Sequence, residues 1–121
     1  MRRRILPEGV ESVDARLLKP HAVVLPIDPI PLMRTPEDSR DGHDGAVLVG
    51  TVTEVRREED GWITGVTSVE LEDGEALEAD CGVMIAAQEC TEDLMVIAST
   101  NLVGVTIGRR PCWPECGEVV A

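Results

Sequence analysis

The stretch that decides the fold is Ala46-Val47-Leu48-Val49-Gly50-Thr51-Val52-Thr53-Glu54-Val55, followed by Arg56-Arg57-Glu58-Glu59-Asp60-Gly61 and then by Trp62-Ile63-Thr64-Gly65-Val66-Thr67-Ser68-Val69-Glu70-Leu71. Valine, isoleucine and threonine dominate both runs, and these β-branched side chains suit the pleated surface of a strand. Asp60-Gly61 supplies the turn chemistry between them. The reading is an antiparallel hairpin of Ala46–Arg56 with Trp62–Leu71, turning at Glu59-Asp60-Gly61. The opening Ala46-Val47-Leu48-Val49 is apolar on both parities and is expected to be buried on both faces.

Working outward, Leu102 to Ile107 reads as a second firm strand, ended by Arg109-Arg110-Pro111. Cys81 to Ala87 is an apolar stretch expected to be buried, and Ala76 to Asp80 reads as a short strand or a helical turn. Thr91-Glu92-Asp93 carries a helix-start signal: a capping hydroxyl and two acids suited to the positive end of a helix dipole. Asn101 is suited to a helix end. Val96, Ile97 and Thr100 favour strand, but the reading adopted is a short helix over 92–100. Val13 to Leu18 and Val119-Val120 complete the candidate strands.

Toward the N-terminus, Pro20, Pro26, Pro29, Pro31 and Pro36 stand close together. Proline lacks a backbone N–H and fixes φ, so this region is expected to be extended, with no helix and no central strand. His21 to Leu25 fits a short edge strand between prolines. The polar segment 34–45 is a loop. The fold class that follows is mostly β (small α+β), with at most one or two short helices. An extended proline-rich arm over 1–36 precedes a single β-rich domain over 37–121. Such an arm lies either across a partner or on its own domain.

The chain has 121 residues, enough for one core. Aromatics are 2%, with no Phe or Tyr, so the core is built from aliphatic side chains. The net charge of −12 argues against binding to nucleic acid or to an anionic membrane, since both require a positive surface. Arg2-Arg3-Arg4 imitates a signal-peptide start, but Pro7-Glu8 follows where an apolar region is needed, so secretion is not expected. The four cysteines then read as free thiols. Cys112 and Cys116, with Cys81, Cys90, His21 and His43, offer a zinc module as an alternative. Their spacing is not that of paired tight knuckles, so no metal and no cofactor is expected. Glu54 to Asp80 holds ten acids against two arginines and reads as a solvated surface.

Three strings in one order carry a family resemblance. Ile30-Pro31-Leu32-Met33 leads into a polar loop with His43-Asp44. Val49-Gly50-Thr51-Val52-Thr53-Glu54-Val55 follows, and Asn101-Leu102-Val103-Gly104-Val105-Thr106-Ile107-Gly108 closes the set. Over about residues 30–110 this resembles the prohead (capsid-maturation) serine proteases of tailed phages, in which a His-Asp loop precedes a Gly-Val strand and the nucleophilic Ser stands just before Ile-Gly. The resemblance implies that His43 matches the catalytic histidine and that Thr106 stands in place of the serine. With no serine there, peptidase activity is not expected.

The function expected is therefore that of a phage capsid-associated structural protein, a decoration or minor capsid component without catalytic activity. It would act in the virion, assembled in the host cytoplasm. Its partner would be the major capsid protein, met in multiple copies or as a homo-oligomer. The alternatives are a maturation protease using Thr106 and His43, and the zinc module. The expected capsid contacts are Arg2, Arg3, Arg4, Val23, Leu25 and Ile27: a positive cluster on an acidic chain, and apolar residues that prolines keep out of a sheet centre.

Overall fold

In the computed structural model, residues 1–36 and 45–120 are described, and they form one curled, all-strand sheet. The elements are β1 (Arg2–Pro7), β2 (Arg16–Leu18), β3 (Val23–Val24), β4 (Ile30–Arg34), β5 (Val47–Arg57), β6 (Trp62–Thr67), β7 (Ala76–Cys81), β8 (Ile85–Ala86) and β9 (Met95–Gly108). The main path runs β1-β6-β5-β4-β9-β2, and β3, β7 and β8 also pair with β9. The mostly β fold holds.

The hairpin forms as expected. β5 and β6 are antiparallel, with Val52 opposite Thr67 and Arg57 opposite Ile63. At the turn, the Trp62 N–H donates to Asp60 Oδ1 at 3.0 Å and the Glu58 N–H to the Trp62 carbonyl at 2.8 Å. Gly61 has a φ of +90°, and a Cβ there would lie 3.0 Å from the Glu8 carbonyl oxygen, so glycine suits this corner on both counts. The return strand ends at Thr67, not Leu71; Val69 and Leu71 pack against the core from a loop. Val47 and Leu48 are exposed rather than buried. Their half of β5 extends beyond the reach of β6 and pairs only with β4.

Two further expectations are corrected. No helix spans 92–100. Thr91 does cap, its Oγ1 accepting from the Asp93 and Leu94 N–H groups, but it closes a turn. From Met95 the β-branched residues prevail and the chain runs 14 residues as β9. Nor does proline keep residues 20–36 out of the sheet centre, because β4 lies between β5 and β9 and contains Pro31. Pro31 stands opposite Thr51, whose N–H and C=O both bond Ser68 on the far side. No donor is therefore asked of Pro31 toward β5. The parallel ladder with β9 begins one residue later, at Leu32.

Residues 1–36 supply β1 to β4 and do not form an arm separate from the domain. Ile5 and Leu6 are fully buried, and β1 pairs with β6 from Arg2 to Pro7. The C-terminal segment joins the two edges of the curl. Gly117 N–H donates to the Arg4 carbonyl, Val120 N–H to the Arg2 carbonyl, and Leu77 N–H of β7 to the Cys116 carbonyl. Inside lie Ile5, Leu18, Leu32, Ile63, Leu77 and Ile107, with Trp62 and Trp113 at the margins. Burying each large aliphatic side chain stabilises the fold by about 1.5–3 kcal/mol.

Two bidentate ion pairs tie loops to this frame. The Glu8 side chain is 3% exposed and takes two hydrogen bonds from Arg57, at 2.7 and 3.0 Å. It also accepts from the Val23 N–H at 3.0 Å, while Arg57 donates to the Val23 carbonyl. One carboxylate thus holds β3, β5 and the end of β1 together. Arg34 and Glu75 form the same fork at 3.0 Å, and Glu75 also accepts from the Glu72 N–H. Burial alone would push the Glu8 carboxyl up. The Arg57 guanidinium and the Val23 and His21 N–H groups outweigh it and hold the carboxyl below its ordinary range. Glu75 behaves likewise: burial raises it, and the Glu72 N–H, Arg34 and Arg109 bring it below the ordinary value.

A carboxyl with a lowered folded-state pKa adds stability above its ordinary pKa, and that stability is lost as pH falls through the folded value. Thermal melts should therefore lose stability below about pH 4.5, the ordinary value for glutamate. Glu8→Gln, which leaves Arg57 without its counter-charge, should cost about 3 kcal/mol in urea denaturation at pH 7 and flatten the acid limb.

Candidate functional site: a sealed threonine and an exposed apolar face

Thr106, expected from the resemblance to stand in place of a serine, sits on β9 opposite Met33 of β4 and Glu78 of β7. Its Oγ1 donates to Asp80 Oδ2 at 2.8 Å. A hydroxyl handing its proton toward a carboxylate is the start of an activated nucleophile. Attack also requires that a substrate carbonyl approach the oxygen, and Thr106 is only 1% exposed. Two strands, β4 and β7, flank β9 at that position, so Thr106 lies in the middle of the sheet. His43 lies outside the described residues.

The cysteines divide into two groups. Cys81 of β7 and Cys112 and Cys116 of the C-terminal segment line one cavity of about 250 Å³, together with Leu77 and Met84. Cys90 is exposed on the β8–β9 connection, where its Sγ contacts the backbone of Val96. All four thiols are free. Among the described residues no group of three or more His, Cys, Asp or Glu is arranged to hold a metal ion. Burial pushes Cys116 up to about 12. Cys112 is raised by burial and by the Asp14 and Glu78 carboxylates, and Cys81 chiefly by burial. At neutral pH these three are held in the thiol form, whereas nucleophilic attack needs the thiolate.

The six expected contact residues do not form one patch. Arg2 donates to the Glu54 carbonyl and to Thr64 Oγ1. Arg3 donates to the Gly117 carbonyl. Arg4 lies over the Trp62 ring, 4.9 Å from its centroid, and pairs with Glu118 at 3.6 Å. The positive cluster is thus spent on the chain's own strands. Val23 is 2% exposed and belongs to the core, which corrects its assignment as a contact, and Leu25 packs against that core. Their burial follows from β3 pairing with β9. Ile27, by contrast, is 94% exposed.

A second feature becomes visible only in the fold. Residues 99, 101 and 103 alternate toward one face of β9. Val24 lies opposite Asn101, and Ile85 opposite Ser99. Val103 is exposed beside them, with Val83 exposed on the turn into β8. Val24, Val83, Ile85 and Val103 therefore gather around one length of β9. Each of the four leaves apolar surface in water at this place.

No family model, curated protein or solved structure matches this chain.

The thiol environments lead to an ordered labelling pattern. In native protein at pH 8, a thiol reagent should modify Cys90 first. Cys116 should resist until denaturant is added, as read by peptide mass mapping.

Proposed function

We propose that the chain is a capsid-associated structural protein of a tailed phage, a decoration or minor capsid subunit, without catalytic activity. It binds the shell of the major capsid protein in multiple copies and resides in the virion after assembly in the host cytoplasm. The observation that carries this reading is the exposed apolar face around β9. Val24, Val83, Ile85 and Val103 leave apolar area in water there, and docking that removes it contributes about 25 cal/mol per Å². The resemblance over residues 30–110 supplies the phage-head context. The sealed position of Thr106 supports a non-catalytic role.

A second reading, a maturation protease using Thr106 and His43, is favoured by one observation: the hydrogen bond from Thr106 Oγ1 to Asp80. The two readings separate in one experiment. Purified chain is mixed with shells assembled from the major capsid protein encoded in the same genome, then sedimented and resolved by mass. The structural reading expects the chain in the shell pellet, with every polypeptide at full mass, and the same result for Thr106→Ala. Cleavage of shell or scaffold that disappears in Thr106→Ala would establish the protease instead. An empty pellet with no cleavage would refute both.

A further inference from the structure

Ile27 is nearly fully exposed, yet its backbone is held from both sides. Pro26 and Pro29 flank the dipeptide Ile27-Asp28 and fix their own φ angles. The Asp28 carboxylate accepts from the Glu54 N–H at 2.6 Å and faces the Val55 N–H at 3.5 Å. These two donors belong to a bulge in β5, where the register shifts between Thr53 and Arg56 and Glu54 takes a φ of +51°. The loop is thus locked to the sheet by the residue next to Ile27. An isoleucine presented on a locked loop loses little conformational freedom when it enters a pocket, and residues with this property carry interface energy out of proportion to their area.

The charge around it selects the partner. Asp28, next to Ile27, and Glu54, from whose N–H it accepts, are exposed acids without an ion pair among the described residues, whereas Arg2 on the Glu54 carbonyl also bonds Thr64 and Arg56 pairs with Glu58. Among the described residues every lysine and arginine already has an intramolecular partner, so the chain presents its excess of acids to a docking surface. A second copy of the chain bears the same net charge of −12 and is repelled. We propose that Ile27, on the loop held to β5, is an anchor for shell docking besides the β9 face and enters an apolar pocket rimmed by lysine or arginine on a different protein. This rests on the shell-binding reading and names the chemistry of the face on the shell.

The test is quantitative co-sedimentation with the same shells. Ile27→Asp should weaken binding about thirtyfold or more, and Ile27→Leu should restore most of it. Raising NaCl from about 0.05 to 0.5 M should weaken wild-type binding about tenfold. Ile27 packs against nothing, so unchanged thermal melts will show that both variants fold. Wild type that fails to sediment with shells overturns the shell-binding reading and this proposal with it. Wild-type binding that is indifferent to Ile27→Asp, or to salt, overturns this proposal alone and leaves shell binding standing. Sedimentation velocity on the chain by itself covers the remaining occupant: dimers that form at high salt and are lost in Ile27→Asp would assign the anchor to a second copy and overturn the proposal.

Discussion

A 14-residue strand carries one N–H and one C=O per residue, turned to alternate edges, and few of them can stay unpaired once buried. This constraint on β9 organises the molecule. Five other strands answer it: β2, β3 and β4 run parallel to β9, and β7 and β8 antiparallel. The parallel partners all come from the first 34 residues, so the N-terminal third is drawn into the domain it precedes. Once β4 is seated on β9, the β5–β6 hairpin follows through the β4–β5 ladder and β1 through β6. The C-terminal segment then closes the remaining gap. The Glu8–Arg57 fork adds the cross-tie that fixes β3, the shortest parallel partner, against β5.

The same arrangement accounts for the distribution of charge. Arginines are consumed where the curl needs bridging. Arg2 and Arg3 reach across to β5 and to the C-terminal segment, Arg34 pins the turn before β7, and Arg57 neutralises Glu8. The contacts of Arg3, Arg34 and Arg57 are partly buried, where a carbonyl or carboxylate left without a donor is costly, and that of Arg2 with the Glu54 carbonyl is exposed. Glu8 and Glu75 are the buried carboxylate partners, while acids such as Glu11, Glu59, Glu70, Glu72, Glu89 and Glu92 stay exposed.

The candidate sites differ in how far they were legible. Thr106 was located by sequence strings, and its β-strand setting was foreseen, but its burial was not. Burial there depends on β4 and β7 arriving on both sides of β9, from positions more than 20 residues away in either case. Ile27 was picked out with Val23 as one apolar proline-flanked run. The structure separates them because Val23 points to the core side of β3 while Ile27 lies beyond it on the Asp28-locked loop. The face formed by Val24, Val83, Ile85 and Val103 left no sequence signal, since its members come from three separate segments.

Composition and periodicity alone determined the strand content, the position of the β5–β6 hairpin, the aliphatic nature of the core and the acidic surface, because each follows from local residue preference or from counting charges. Tertiary structure decided the rest. It turned a helix-start signal at Thr91 into a turn, because Val96, Ile97 and Thr100 gain partners in β2, β3 and β8 that a helix would forgo. It admitted Pro31 to a central strand, because Thr51 opposite it bonds elsewhere. It gave Arg2, Arg3 and Arg4 intramolecular contacts with residues distant in the sequence. In each case the local preference amounts to about 1 kcal/mol or less per residue, and long-range pairing and burial, summed over many residues, outweigh it.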